Sequence, residues 1–303
     1  MAEAEKKIAL PLRILRLLLP WKEDSFRDAA GKLLLIAAVG AVIYTGGMSA
    51  TERIAVERNQ QQIIAAVEIF AEPPTETETA ALPEGYGSQY ASLYAVNADI
   101  AGWLTVEGTS IDLPVMQAED NDYYLEHNLY GEDDPYGLPY IDYRVPLGKD
   151  YWAKNTLVYG HNMNAGYIFH DLEGYKDAAF YKENPFLTFD TVYNQSRWVI
   201  FAAYEANTNY RKGEVFEYFN YVISEDPERA QWYIDECTAR SFFTNPIDVD
   251  VTDTFLTLQT CMNNAADTKL CIVARRLRAD ETEADFDFPL SVNNTARVRP
   301  RLY

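Results

Sequence analysis

Short runs rich in β-branched and aromatic residues recur along the last two thirds of this chain, and each is bounded by Gly, Asn, Asp or Pro. They are WLTVEG (103–108), DLPVM (112–116), LPYIDYR (138–144), NTLVYG (155–160), RWVIFAAYEA (197–206), DTFLTLQTC (253–261) and KLCIVARRLR (269–278). Such runs read as strands. Between them only IFHDLEGYKDAAFYKEN (168–184) and SEDPERAQWYIDECTARS (224–241) have helical spacing, with Ser224 as the expected N-cap of the second. Many short strands and few helices predict a mainly β domain with added helices, closed or nearly closed into a barrel.

Ahead of this domain lies LLLIAAVGAVIYTGGMSA, Leu33 to Ala50, with no charged residue. That is about the shortest apolar run able to cross a bilayer as a helix. Lys22, Arg27 and Lys32 precede it and Glu52 follows, so the positive-inside bias puts the N-terminus in the cytoplasm and the rest outside. A cleavable signal peptide is the competing reading, opposed by the long segment upstream and by Met48 near a cut after Ala50. Residues Ile8 to Trp21 suit a helix in the headgroup region. The expected organisation is a cytoplasmic tail (1–32), a single transmembrane helix (33–50), an extracellular helical stalk and Pro/Thr/Glu-rich linker (51–88), a catalytic domain (89–280) and a C-terminal tail (281–303).

A formal charge of −20 repels phosphate backbones, so nucleic acid is not an expected partner. Cys237, Cys261 and Cys271 lack the spacing of a zinc site or a disulfide scaffold, and His127, His161 and His170 form no metal motif. No metal or cofactor is expected. Cys237 falls in a helical stretch and Cys271 inside an apolar run, where a thiol is an inert small hydrophobe. Cys261, by contrast, ends a strand and opens into a polar loop, a common place for a reactive side chain. His161 likewise ends NTLVYG. A thiol nucleophile needs such a base to work near neutral pH.

At these residues the chain resembles a family. TLQTC (257–261) is similar to the TLxTC signature of sortases and YGHNM (159–163) to their histidine loop. NADIAGWLTVEGTSIDLPVMQAEDNDYYLEHNL, LPYIDYR and GYIFHDLEGYKDAAFYKENP resemble class B sortases in particular. The resemblance implies the sortase barrel and a cysteine transpeptidase. Such an enzyme cleaves a C-terminal sorting motif of an exported protein, forms a thioacyl intermediate, and passes the acyl group to an amine of peptidoglycan or a pilin.

By the same resemblance Cys261 attacks and His161 is the acid and base. Lys269 stands where the family carries an arginine, with Arg275 as the fallback cation, and Thr260 lines the substrate groove. The implied setting is the outer face of a membrane, with the lipid bilayer a partner through the N-terminal helix. Two other readings remain open: a thiol hydrolase, and a catalytically silent peptide-binding surface protein.

Overall fold

The computed structural model describes residues 19–21, 24–163, 167–262 and 265–296, with 26, 38–49, 261–262 and 265–266 described by their backbone. The chain forms two compact units, Met1–Glu57 and Arg58–Tyr303. A single helix, α1 (Phe26–Ala71), contributes residues to both. Ser25 begins it, its hydroxyl accepting from the Asp28 amide at 3.2 Å. Among the described residues no helix is long and apolar enough to cross a membrane. The span expected at 33–50 lies inside α1, and most of its side chains fall outside the described set, so the structure lends that expectation no support. Residues 8–18 of the expected headgroup helix, and 297–303 of the C-terminus, are also outside it.

The stretch expected as helical stalk and linker, 51–88, is helical as far as Ala71. From Arg58 onward α1 belongs to the larger unit. Ala66 is fully buried, Phe70 stacks on Trp103 at 4.2 Å, and the buried Asn59 amide donates to Asp134 and to the Gly137 carbonyl. The Pro/Thr/Glu-rich stretch contains a short helix, α2 (Glu76–Ala81), opened by a reciprocal capping box between Thr75 and Glu78. The Gly87 amide then bonds the Val192 carbonyl at 2.7 Å. Composition suggested a linker because these residues build no core of their own; they form structure against a surface that the barrel provides.

After α3 (Ala91–Val96) come β1 (Ile100–Val106), β2 (Asp112–Met116), β3 (Tyr140–Ile141), β4 (Asn155–Gly160) and the β5/β6 hairpin (Asn162–Met163, Tyr167–Ile168). Next are α4 (Ala178–Glu183), β7 (Phe186–Thr191), β8 (Arg197–Asn207), α5 (Pro227–Arg240) and β9 (Phe243–Thr244). Last come β10 (Phe255–Met262), β11 (Ala265–Arg276) and β12 (Ser291–Val292). Eight strands close into a barrel in the order β1-β2-β3-β4-β10-β11-β8-β7. The N-cap of α5 is Asp226, whose carboxylate accepts from the Glu228 amide, rather than the expected Ser224. Pro227 at the first helical position fixes that start.

Helix α5 covers one face of β10. Tyr233 packs on Phe255 and its hydroxyl meets that of Thr257. Alternation then turns Leu256, Leu258 and Thr260, all fully buried, toward the barrel interior. The segment after β11, expected as a tail, is tied to the barrel: Glu281 and Glu283 pair with Arg275 and Arg197, and β12 pairs with β9.

Candidate active site

Strand register decides which residues meet. β4 and β10 run parallel, paired from Phe255 with Asn155 to Thr260 with Gly160. His161 and Cys261 are each the next residue along, so the two chain positions emerge at the same end of adjacent strands, which in a sheet lie about 4.8 Å apart. On the other side β10 and β11 run antiparallel, and Cys261 is the direct partner of Lys269. Directly opposed residues share a face of the sheet. The Cys261 side chain is outside the described set; its backbone sits between the end of β4 and Lys269.

The histidine is held from several directions. The Cβ that an alanine would place at 160 lies 2.7 Å from the ring of Phe169, which is fully buried, so only glycine lets that ring close under the strand end. The Phe169 amide bonds the His161 carbonyl at 3.0 Å. His161 Nε2 lies 3.0 Å from the Leu125 carbonyl oxygen. A carbonyl only accepts, so Nε2 carries the hydrogen and Nδ1 is left for proton exchange. Beyond it Asn162 donates to Glu173 at 2.8 Å and accepts from His170 at 2.9 Å. Ile168, in β6, is held at φ 56, a conformation unfavourable for a β-branched residue, by pairing with Asn162 and by burial.

One strand residue before Gly160, the Tyr159 hydroxyl donates to Asp142, which also takes a two-point bond from Arg144. Arg144 in turn donates to the Phe219 carbonyl. The LPYIDYR run thus braces β4 against the segment that follows β8. In that segment the Tyr218 hydroxyl donates to Gln259, two residues before Cys261. Neither the Leu125 carbonyl nor the Tyr218–Gln259 bond has a signal in the sequence: one is backbone, and the other joins residues 41 positions apart.

Other sequence expectations fall elsewhere. Arg275 pairs with Phe255 at the opposite end of β10 and is 1% exposed, engaged by Glu281 through two bonds and by the Asp248 carbonyl. The structure therefore does not bring the fallback cation to Cys261. Thr260 does not reach the outer face; its hydroxyl is sealed in the barrel with no hydrogen-bond partner among the described residues. Lys269 is partly buried, and its charge acts on Asp267 and Cys271. Cys237 and Cys271 are buried thiols beside the Tyr204 hydroxyl; burial pushes the Cys271 thiol up to about 12 and Cys237 higher still. His127 stacks on Tyr123 and bonds its carbonyl.

A closed barrel with a cysteine and a histidine leaving adjacent parallel strands at one end is the framework of a sortase-type cysteine transpeptidase. No protein-family profile matches the chain. Among curated proteins it is similar to Sortase B of Listeria monocytogenes, with 30% identity over 233 residues, covering 76% of this chain and 89% of the relative. It is also similar to Sortase B of Staphylococcus aureus, with 29% identity over 194 residues, 63% of this chain and 75% of the relative. Among solved structures, a Staphylococcus aureus sortase B–substrate complex superposes with a TM-score of 0.63 at 25% identity, covering 75% of this chain and 100% of the other. Sortase B from B. anthracis in complex with AAEK1 gives the same TM-score and identity over 74% of this chain and 99% of the other. The chain belongs to the sortase B family and is a cysteine transpeptidase.

Proposed function

We propose that Cys261, His161 and Lys269 carry the transpeptidation, on a sorting motif of an exported protein. The Cys261 thiolate attacks the scissile carbonyl, the Lys269 ammonium stabilises the developing oxyanion, and the C–N bond breaks as His161 gives its Nδ1 proton to the leaving amine. His161 then takes a proton from the incoming amine, which attacks the thioacyl carbon and releases the Cys261 thiolate, restoring the starting state. The observation that carries this reading is the register: position 261 stands beside the strand that ends at His161 and directly opposite Lys269.

Lys269 is favoured over Arg275 because the arginine's fork is taken up by Glu281 at the other end of the strand. A lysine supplies one compact charge where an arginine supplies a planar pair of donors. The substrate side of the proposal is supported by the relative solved as a substrate complex, and the amine side by a sortase B solved in complex with triglycine. The acceptor we propose is an amine of peptidoglycan or of a pilin.

The test is mass spectrometry of full-length protein incubated with candidate sorting peptides, with and without an added amine. The expected result is an acyl adduct on Cys261 that disappears when amine is added and never forms in Cys261→Ala. An adduct on another residue would overturn the assignment.

We further propose that residues 33–50 anchor the enzyme in the cell membrane, N-terminus inside and catalytic unit outside. This rests on the uncharged run and the basic residues before it. Removing residues 1–50 is expected to move the enzyme from the membrane to the soluble fraction with activity kept. A full-length chain found soluble after lysis would refute the anchor.

A further inference from the structure

At the end of β11 away from Lys269 the barrel carries a second feature, which the transpeptidation does not use. Arg276 lies partly buried over the Trp152 ring, 5.8 Å from its centroid. Among the other arginines, Arg144, Arg197, Arg240, Arg275 and Arg278 each hold a carboxylate. Arg276 makes no ion pair among the described residues, and burial alone lowers its pKa from the ordinary value. A guanidinium withdrawn from water without a counter-charge is costly. This one faces an open cavity of about 510 Å³ lined by Asp150, Trp152, Tyr193, Asn194 and Gln195, within the ~300–1,000 Å³ typical of small-ligand sites.

The lining groups narrow what would fit. The Asn194 amide is spent, donating to the Gly148 and Tyr151 carbonyls while its oxygen fixes the Asp150 amide. The Gln195 side chain is exposed and makes no hydrogen bond to a described residue, and the exposed Asp150 carboxylate has no ion pair among the described residues. The Trp152 and Tyr193 rings wall the cavity. A guanidinium fork selects a carboxylate or a phosphate. The nearby Asp150 disfavours a bare multivalent anion and rewards hydroxyl donors beside the acid.

We propose that this cavity binds an acidic saccharide or polyol, its single acidic group on Arg276 and its hydroxyls on Gln195 and Asp150. Seven residues of extended chain separate Arg276 from Lys269, roughly 23 Å at ~3.3 Å per residue, so this is a holding site rather than part of the reaction. The proposal is independent of which residues carry catalysis.

The test is titration of the full chain, by calorimetry, with N-acetylmuramic acid, with N-acetylglucosamine as its counterpart lacking the acid, and with glycerol 3-phosphate. The acid-bearing ligands are expected to bind at least tenfold more tightly than the neutral sugar, and the preferred one identifies carboxylate or phosphate as the natural group. Arg276→Met should remove that preference, and Gln195→Ala, at an exposed position that leaves the fold untouched, should weaken binding severalfold. Cleavage of a soluble sorting peptide should be unchanged in both. Equal binding of acidic and neutral sugars, no binding of any of them at millimolar concentration, or acid preference surviving in Arg276→Met would overturn the proposal.

Discussion

The two residues around which catalysis is proposed, Cys261 and His161, gain their setting from neighbours that do no chemistry. Gly160 lets the Phe169 ring close under the strand end, and the Leu125 carbonyl fixes which imidazole nitrogen keeps its hydrogen. Cys261→Ala is expected to abolish turnover of a sorting peptide in a fluorescence cleavage assay. Lys269→Ala should lower kcat by about 10²–10³-fold, the usual cost of losing an oxyanion donor, whereas Lys269→Arg should keep or raise it. Parental kcat in Lys269→Ala would show that the oxyanion is stabilised elsewhere. Thr260 carries an opposite expectation. Its buried hydroxyl has no partner among the described residues, and such a group costs about 1–3 kcal/mol. Thr260→Val, which keeps the shape, should therefore raise the thermal midpoint and leave kcat/KM unchanged; a fall in kcat/KM would give that hydroxyl a part in the reaction.

Among the elements, the last four turns of α1 matter beyond their sequence. Arg58–Ala71 packs into the larger unit through Asn59, Ala66 and Phe70, the last stacked on a barrel tryptophan. Phe70→Ala is expected to cost about 3 kcal/mol, in the range for truncating a packed aromatic, and Asn59→Ala about 2 kcal/mol, because Asp134 and the Gly137 carbonyl lose a buried donor. Urea unfolding of a chain beginning at residue 51 would measure both. An unchanged midpoint in Phe70→Ala would mean that the helix end does not support the barrel. β10 is the element that joins stability to function: Leu256, Leu258 and Thr260 fill the barrel, Phe255 and Thr257 lie against Tyr233 of α5, and Cys261 follows on the same strand.

For the molecule as a whole, the segment that follows β11 is held to the end of the barrel far from the site by a charged strap. The buried Arg275 is bound at two points by Glu281, and that bond holds the Glu281 carboxyl below its usual 4.5. A carboxylate with a depressed folded pKa contributes stability in full above the unfolded value and loses it as pH falls through the lower folded one. The contribution should thus be complete at neutral pH and drain away below about pH 4.5. Glu281→Ala should destabilise the neutral protein by roughly 2 kcal/mol, the cost of losing hydrogen bonds to a charged group while the Asp253 carboxylate stays 3.8 Å from the guanidinium, and should flatten the acid limb of a stability–pH curve. An acid limb identical to the parent's would refute the strap. The barrel, the helix between β8 and β10 and the places of Cys261 and His161 at strand ends were legible in the sequence. Alternation and terminating residues are local, and TLQTC and YGHNM are contiguous. The contacts that residues 58–88 and 281–292 make with the rest of the larger unit were not legible, because composition reports whether a segment can build its own core, not whether it lies on another's. Arg275 and Lys269 sit on one strand with the same charge, and pattern alone could not say that Glu281 binds Arg275 at two points. The sequence by itself determined the strand pattern and the reactive residue types, since these depend on near neighbours. Only the tertiary structure decided the parallel register of β4 with β10 and the partner of each charge, because barrel closure joins residues about a hundred positions apart that no local rule connects.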